Sequence, residues 1–388
     1  MAKYILIPDS FKGTMSSAEI CGVMRRAILR HEPEAEVISL PVADGGEGTV
    51  DAFLAALGGE RVEETVTGPL GEPVRAFYGR LPDGTAVVEM AAAAGLPLAG
   101  ERRDPLRATT YGVGELIGSA VRAGARRVVL GLGGSATNDG GCGMAAALGA
   151  VFRDEAGVPF VPTGGTLRRI ASVSLDGVQA RLAGVTVEAM CDVDSPLFGP
   201  AGAAYVFAPQ KGADEAAVRL LDDGLRHLAA VLSSLPGGAD AAGKPGAGAA
   251  GGMGAGVRVF LGGTLRMGIE TVLDVTGFAR LLPGASLILT GEGRLDGQSL
   301  RGKVVSGVAA EAAKAGVPVI AVAGDIGGGI EEVYGRGVSA VLSINRVAVP
   351  YEQARLRAGD DLFLTIDTLM RLRALFLREK GGHSDAEM

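Results

Sequence analysis

Lys3-Tyr4-Ile5-Leu6-Ile7-Pro8-Asp9-Ser10-Phe11-Lys12-Gly13-Thr14-Met15-Ser16 opens the chain with an apolar run, a polar loop and a serine placed to start a helix. Residues 3–7 predict a strand, and the helical spacing over 16–30, with Pro33 just beyond, predicts a helix. A second strand over 36–40, the turn Asp44-Gly45-Gly46 and a helix over about 47–57 repeat the unit. Strands alternating with helices imply parallel pairing and a sheet covered on both faces. The same grammar returns near Ser286: a strand over 287–289 ends in a polar glycine loop, and a helix covers 303–314. Segments 317–323, 330–334 and 338–344 continue the alternation, and a long amphipathic helix over 351–377 precedes a charged tail.

The middle of the chain has another rhythm. Residues 62–66, 74–81 and 85–90 predict strands joined by short turns such as Pro82-Asp83-Gly84, followed by a helix over 113–122 and buried strands over 127–132 and 185–190. Helices over 214–232, 251–260 and 268–273 follow, while 236–252, rich in Gly and Ala, reads as a flexible connection or a close-packed glycine turn. The expected class is α/β: one doubly wound domain from residues 1–64 and 286–378, a second α/β domain over 65–285 inserted into it, and a flexible tail over 379–388. Open α/β sheets bind ligands at the carboxyl ends of their strands, so the expected site is the cleft between the domains.

Composition narrows the function. Of 388 residues 47% are hydrophobic and 21% charged, so disorder is not expected. The 62 glycines show no period of three, which excludes a collagen-like chain. A net charge of −7 without a Lys/Arg stripe argues against nucleic acid as partner. Only three cysteines, Cys21, Cys142 and Cys191, predict a reducing compartment rather than a disulfide framework. With no signal-peptide core and no stretch of about 20 apolar residues, the expected location is cytoplasmic and away from membranes.

Five glycine-rich polar segments stand out, four of them directly after predicted strands. Asp9–Thr14 offers Ser10 and Lys12 ahead of a helix N-terminus, an arrangement suited to an anion; the plain alternative is that Thr14 or Ser16 caps the helix. Asp44-Gly45-Gly46-Glu47-Gly48-Thr49 places two carboxylates among glycines, suited to a metal, a hydroxyl or a base, or to an ordinary turn. The 131–141 loop, with Gly133, Gly134, Ser135, Thr137, Asn138 and Asp139, can form a concavity of backbone N–H groups and carries the strongest local signal for a phosphate or carboxylate. Cys191-Asp192-Val193-Asp194-Ser195-Pro196 sets Asp192 at a strand end, and Lys211 lies near a helix start, as Lys12 does. The fifth segment carries Glu292, Arg294, Asp296, Gln298, Ser299 and Lys303. Its 297–303 stretch fits the start of a phosphate loop, but Val304 replaces the hydroxyl that would hold magnesium, which excludes an ordinary P-loop. No dinucleotide fingerprint, G-x-S-x-G elbow or histidine cluster is present.

In order along the chain, D-S-F-K-G-T, P-V-A-D-G-G-E-G-T, G-G-S-A-T-N-D-G-G, C-D-V-x-x-P-L, P-Q-K-G-A and T-G-E-G-R-x-D-x-Q-S-x-x-G-K resemble the bacterial glycerate kinases that form 2-phosphoglycerate. The resemblance extends to about residue 376. It implies a flavodoxin-like domain interrupted by a second α/β domain, ATP as donor, Mg²⁺, and D-glycerate as acceptor. On this basis Asp192, Asp44 and Lys12 are the expected catalytic residues. Ser10, residues 133–135 and 137–139, Lys211, Glu292, Arg294, Asp296, Gln298, Ser299 and Lys303 are expected to bind substrate or phosphate. Asp192 and Asp296 are the expected metal contacts. One departure is Ser195, where the family pattern has Asn. The expected oligomeric state is monomer or homodimer. The alternatives are a kinase forming 3-phosphoglycerate or acting on another short hydroxy acid, and, in a different class, a non-catalytic two-domain protein that closes on an organic anion.

Overall fold

The computed structural model describes residues 1–43, 45–297 and 303–382, and Asp44, Gln298 and Ser299 lie outside them. The chain divides into two compact units, one from Met1–Ala43 with Ile269–Met388 and the other from Asp44–Gly268.

In the first unit five strands, all parallel, lie in the order Ala340–Ser343, Val319–Ile326, Leu287–Leu295, Lys3–Pro8, Glu36–Ser39. Numbered along the chain this is 2-1-3-4-5, the doubly wound flavodoxin-like order. The switch point falls between Lys3–Pro8 and Leu287–Leu295. Helix Ser17–His31 starts at Ser16, whose hydroxyl accepts the Glu19 N–H while the Glu19 carboxylate accepts the Ser16 N–H. Its buried Ile20, Met24, Ala27 and Ile28 pack in one cluster with Ala358, Leu362, Ile366 and Met370, the four-residue stripe of helix Tyr351–Gly382. That helix continues five residues beyond the predicted end at 377.

Strand Leu287–Leu295 is three times as long as predicted. Thr290-Gly291-Glu292-Gly293-Arg294 reads as a loop, yet it pairs with Val319–Ile326 through Arg294↔Asp325. Its glycines serve close approach rather than a turn: a methyl on Gly291 would overlap the Val322 carbonyl, and one on Gly324 the Gly293 carbonyl.

The second unit holds a six-stranded sheet. Thr264–Arg266, Thr186–Met190, Arg127–Gly131 and Thr85–Glu89 run parallel, and Pro73–Arg80 and Glu60–Thr67 extend it antiparallel. Its core includes Val88, Val113, Leu116, Leu130, Leu225 and Leu228, all fully buried. A small antiparallel sheet of Val151–Arg153, Pro159–Phe160 and Ser172–Ser174 was not evident from the sequence pattern.

The sequence-derived boundaries at 64/65 and 285/286 differ from the unit edges at 43/44 and 268/269. Residues 60–64 pair with Pro73–Arg80 and not with the terminal sheet, and the methyl-bearing side chains of helix Thr49–Leu57 meet Gly79 of that strand. Short-range hairpin pairing overrides the βα rhythm here. Residues 236–252 adopt the close-packed alternative: Ala241, Ala247, Ala249 and Ala250 are buried, and methyls on Gly246 or Gly248 would crowd Cys191 or overlap Pro196.

Candidate active site

Within the second unit, loops at the carboxyl ends of the parallel strands line a pocket of about 300 Å³. Gly133, Gly134 and Ser135 come from the loop after Arg127–Gly131, and Cys191 and Asp192 from the loop after Thr186–Met190. Lys211 comes from the turn Pro209–Lys211, and Ala249 and Ala250 from the turn leading into the helix that ends at Phe260. A pocket of this size suits a small ligand.

Lys211 is the central cation. Its side chain is 1% exposed, and Nζ donates to Ser135 Oγ and to the Thr137 carbonyl, each at 2.7 Å. Burial pushes its ammonium down to about 7, with the Asp139 charge opposing. A desolvated lysine held against a hydroxyl in a glycine-lined pocket is a ready counter-charge for an anion.

The rest of the predicted 131–141 cradle does structural work. Asp139 is fully buried and accepts Thr110 N (2.8 Å), Thr110 Oγ (2.9 Å), Gly141 N (3.1 Å) and Gly143 N (3.2 Å). Burial raises its carboxyl and the four donors oppose that rise. Its oxygens fix the loop to the start of helix Tyr111–Arg122. Thr137 and Asn138 are likewise fully buried and do not line the pocket. Thr137 Oγ and both amide atoms of Asn138 have no partner within the described structure, a pattern met by buried water. Gly131 and Gly133 are required by close packing, since methyls there would overlap Gly45 and Gly46, and Gly133 N donates to the Gly45 carbonyl at 2.9 Å.

Asp192 is exposed at its strand end and accepts the Gly268 N–H at 2.7 Å. Glu89 went unnoticed in the sequence because it ends an apolar strand without a motif. It is 1% exposed and accepts the Val50 N–H at 2.5 Å, satisfying a donor at the start of helix Thr49–Leu57. A further unexpected element is the turn at Ala250 (φ 52, ψ 42), Gly251 and Gly252, three successive left-handed residues. For an L-residue this conformation costs roughly 1–2 kcal/mol.

The first unit carries a second polar cluster at its switch point. Asp9 N donates to the Gly291 carbonyl at 2.8 Å, and Ser10 N to the Asp9 carboxylate at 2.6 Å. Lys12 is exposed. Glu292 is 5% exposed; one oxygen lies 3.5 Å from Lys303 Nζ and the other has no partner within the described structure. Burial raises its carboxyl to about 7, Lys303 opposes the rise and Asp9 adds to it. Arg294 pairs with Asp296 at 3.2 Å and Asp325 at 3.4 Å on the surface. Among the described residues no three acidic, His or Cys side chains cluster as a metal cage. Also among them, no helix is long and apolar enough to cross a membrane.

A doubly wound sheet, a glycine-lined pocket with a buried ammonium, and carboxylates at strand ends define an α/β enzyme that handles small anions. The chain belongs to the glycerate kinase family, whose model matches residues 4–374, and is thus a phosphotransferase. It is 47% identical to a glycerate kinase of Bacillus subtilis strain 168 over 367 residues, covering 92% of this chain and 94% of that protein. It is 42% identical to a glycerate 2-kinase of Escherichia coli K12, covering 98% and 100%. A crystal structure of a candidate glycerate kinase 2 from Salmonella typhimurium LT2 superposes with a TM-score of 0.86 at 40% identity, covering 97% and 99%.

Proposed function

We propose that the protein transfers the γ-phosphoryl group of ATP to the 2-hydroxyl of D-glycerate, forming 2-phosphoglycerate and ADP. The observation that carries this assignment is the buried Lys211–Ser135 pair in the same small pocket as the Asp192 carboxylate. Lys211 and Ser135 hold the glycerate carboxylate, the N–H groups of the 133–135 loop support it, and Asp192 takes the hydroxyl proton. The hydroxyl oxygen then bonds to the γ-phosphorus as the bond to the bridging oxygen of ADP breaks. Lys12, Arg294 and Lys303 supply charge for the ATP phosphates.

The acidic residues suit magnesium delivered with ATP. Mg²⁺ keeps several waters and binds through one or two carboxylates plus substrate phosphates, so no protein cage is needed. Asp296, whose carboxyl group pairs with Arg294, would help hold it. When bound, Mg²⁺ neutralises charge on the transferring phosphoryl group.

The test is product identification after incubation with ATP, Mg²⁺ and D-glycerate. Glycerate-dependent ADP with 2-phosphoglycerate as product is expected; 3-phosphoglycerate would reassign the acceptor hydroxyl. No ADP release with glycerate or other short hydroxy acids, from folded protein, refutes the assignment.

A further inference from the structure

We infer that Gly268 is the residue that positions the Asp192 carboxylate, an inference resting on the assignment of Asp192 as proton acceptor. Two contacts carry it. The Gly268 N–H donates to Asp192 Oδ1 at 2.7 Å. A methyl built on Gly268 would lie 3.0 Å from Oδ2, 3.4 Å from Oδ1 and 3.5 Å from the carboxyl carbon, and these are the three nearest atoms it would meet. The donor on this residue and the space left by its missing side chain are thus both turned to one carboxylate.

Backbone conformation gives no other reason for a glycine here. Gly268 is not among the left-handed glycines, and it opens helix Gly268–Val275 with a φ that other residues adopt. As the first residue of that helix it carries an N–H that no intrahelical carbonyl can take, so the bond to Asp192 satisfies a donor left over by helix geometry. Asp192 itself is exposed at the end of strand Thr186–Met190 and lines the pocket that holds Lys211 and Ser135. An exposed side chain samples several staggered rotamers, and a backbone donor selects one without a mobile chain of its own. With a methyl at 3.0 Å, the carboxylate must give by a few tenths of an ångström. That shift is small for the fold and large for proton transfer, where a misplacement of about 1 Å costs roughly 10²-fold.

The experiment measures kcat with D-glycerate, ATP and Mg²⁺, together with melting curves, for the full chain and for Gly268→Ala, Asp192→Asn and the double substitution. If the glycine served the fold alone, alanine in the first turn of a helix would be neutral or stabilising and turnover would be normal. The expected result is a melting temperature unchanged or raised, with kcat lowered by about tenfold. In the Asp192→Asn background the same Gly268→Ala change is expected to alter kcat by less than about twofold, because the group it displaces no longer accepts the proton. Normal turnover in Gly268→Ala, or an equal loss in both backgrounds, overturns the inference. Should Gly268→Ala melt lower, the Asp192→Ala background decides: recovery of the melting temperature there supports the clash with this carboxylate, and no recovery overturns it. Near-normal turnover in Asp192→Asn alone overturns instead the assignment of the proton acceptor beneath it.

Discussion

A lysine ammonium taken out of water loses its hydration, and Lys211 recovers it only in part from Ser135 and the Thr137 carbonyl. With its titration near 7, the positive charge is present below that pH in the unliganded protein and is lost as pH rises through it. The apparent affinity for glycerate should accordingly fall above about pH 7, seen as a descending limb in kcat/KM. Lys211→Met should remove that limb and lower kcat/KM by roughly 10²-fold, the effect of deleting one preorganised charge-stabilising donor. Asp192→Asn keeps the shape and removes the charge. If Asp192 takes the proton, kcat and kcat/KM should fall together by roughly 10²-fold or more; near-normal turnover would move the base elsewhere. Glu292 titrates with the opposite sign. Its folded value of about 7 lies above the ordinary 4.5, so its share of stability is full below about 4.5 and is lost as pH rises through 7. Glu292→Gln should therefore gain in Tm relative to the unsubstituted protein between pH 5 and pH 8, and a constant Tm difference would show that no buried charge develops.

At the scale of elements, the same residue types carry different work, and that limits what the sequence reveals. The strand Lys3–Pro8, the Ser16 cap and the helix that follows were legible because apolar period and capping chemistry are local properties. The T-G-E-G-R run misleads because glycine in a strand and glycine in a loop look alike; only the neighbouring Val322 carbonyl distinguishes them. In the 131–141 loop the glycine signal found the pocket wall, but Thr137, Asn138 and Asp139 turn inward to buried positions that no spacing encodes. Lys211 was legible as a cation near a helix start, whereas its contact with Ser135 joins residues 76 positions apart. Asp139→Ala should leave Thr110, Gly141 and Gly143 with buried donors unmet and cost about 3 kcal/mol, measurable by chemical unfolding. Gly291→Ala should force the strand pair apart and cost about 1–3 kcal/mol through overpacking.

For the molecule as a whole, the unit over 44–268 is one continuous piece of chain with its own buried core, from Val66 to Leu261. We expect that segment, expressed alone, to melt cooperatively by circular dichroism; a non-cooperative melt would show that it depends on the terminal segments. The terminal unit has no such independence in time. Thr290 Oγ donates to the Ile7 carbonyl across a separation of 283 residues, within the central strand pair of the sheet. During synthesis at about 5–20 residues per second, Lys3–Pro8 leaves the ribosome roughly 15–60 s before its partner exists. Through that interval the apolar Tyr4-Ile5-Leu6-Ile7 run has only Glu36–Ser39 to pair with on one edge, and its other edge stays open. An unpaired apolar edge is a template for wrong partners. The nascent chain, rather than the finished enzyme, is thus the form in which this fold is most exposed to aggregation and most in need of a chaperone.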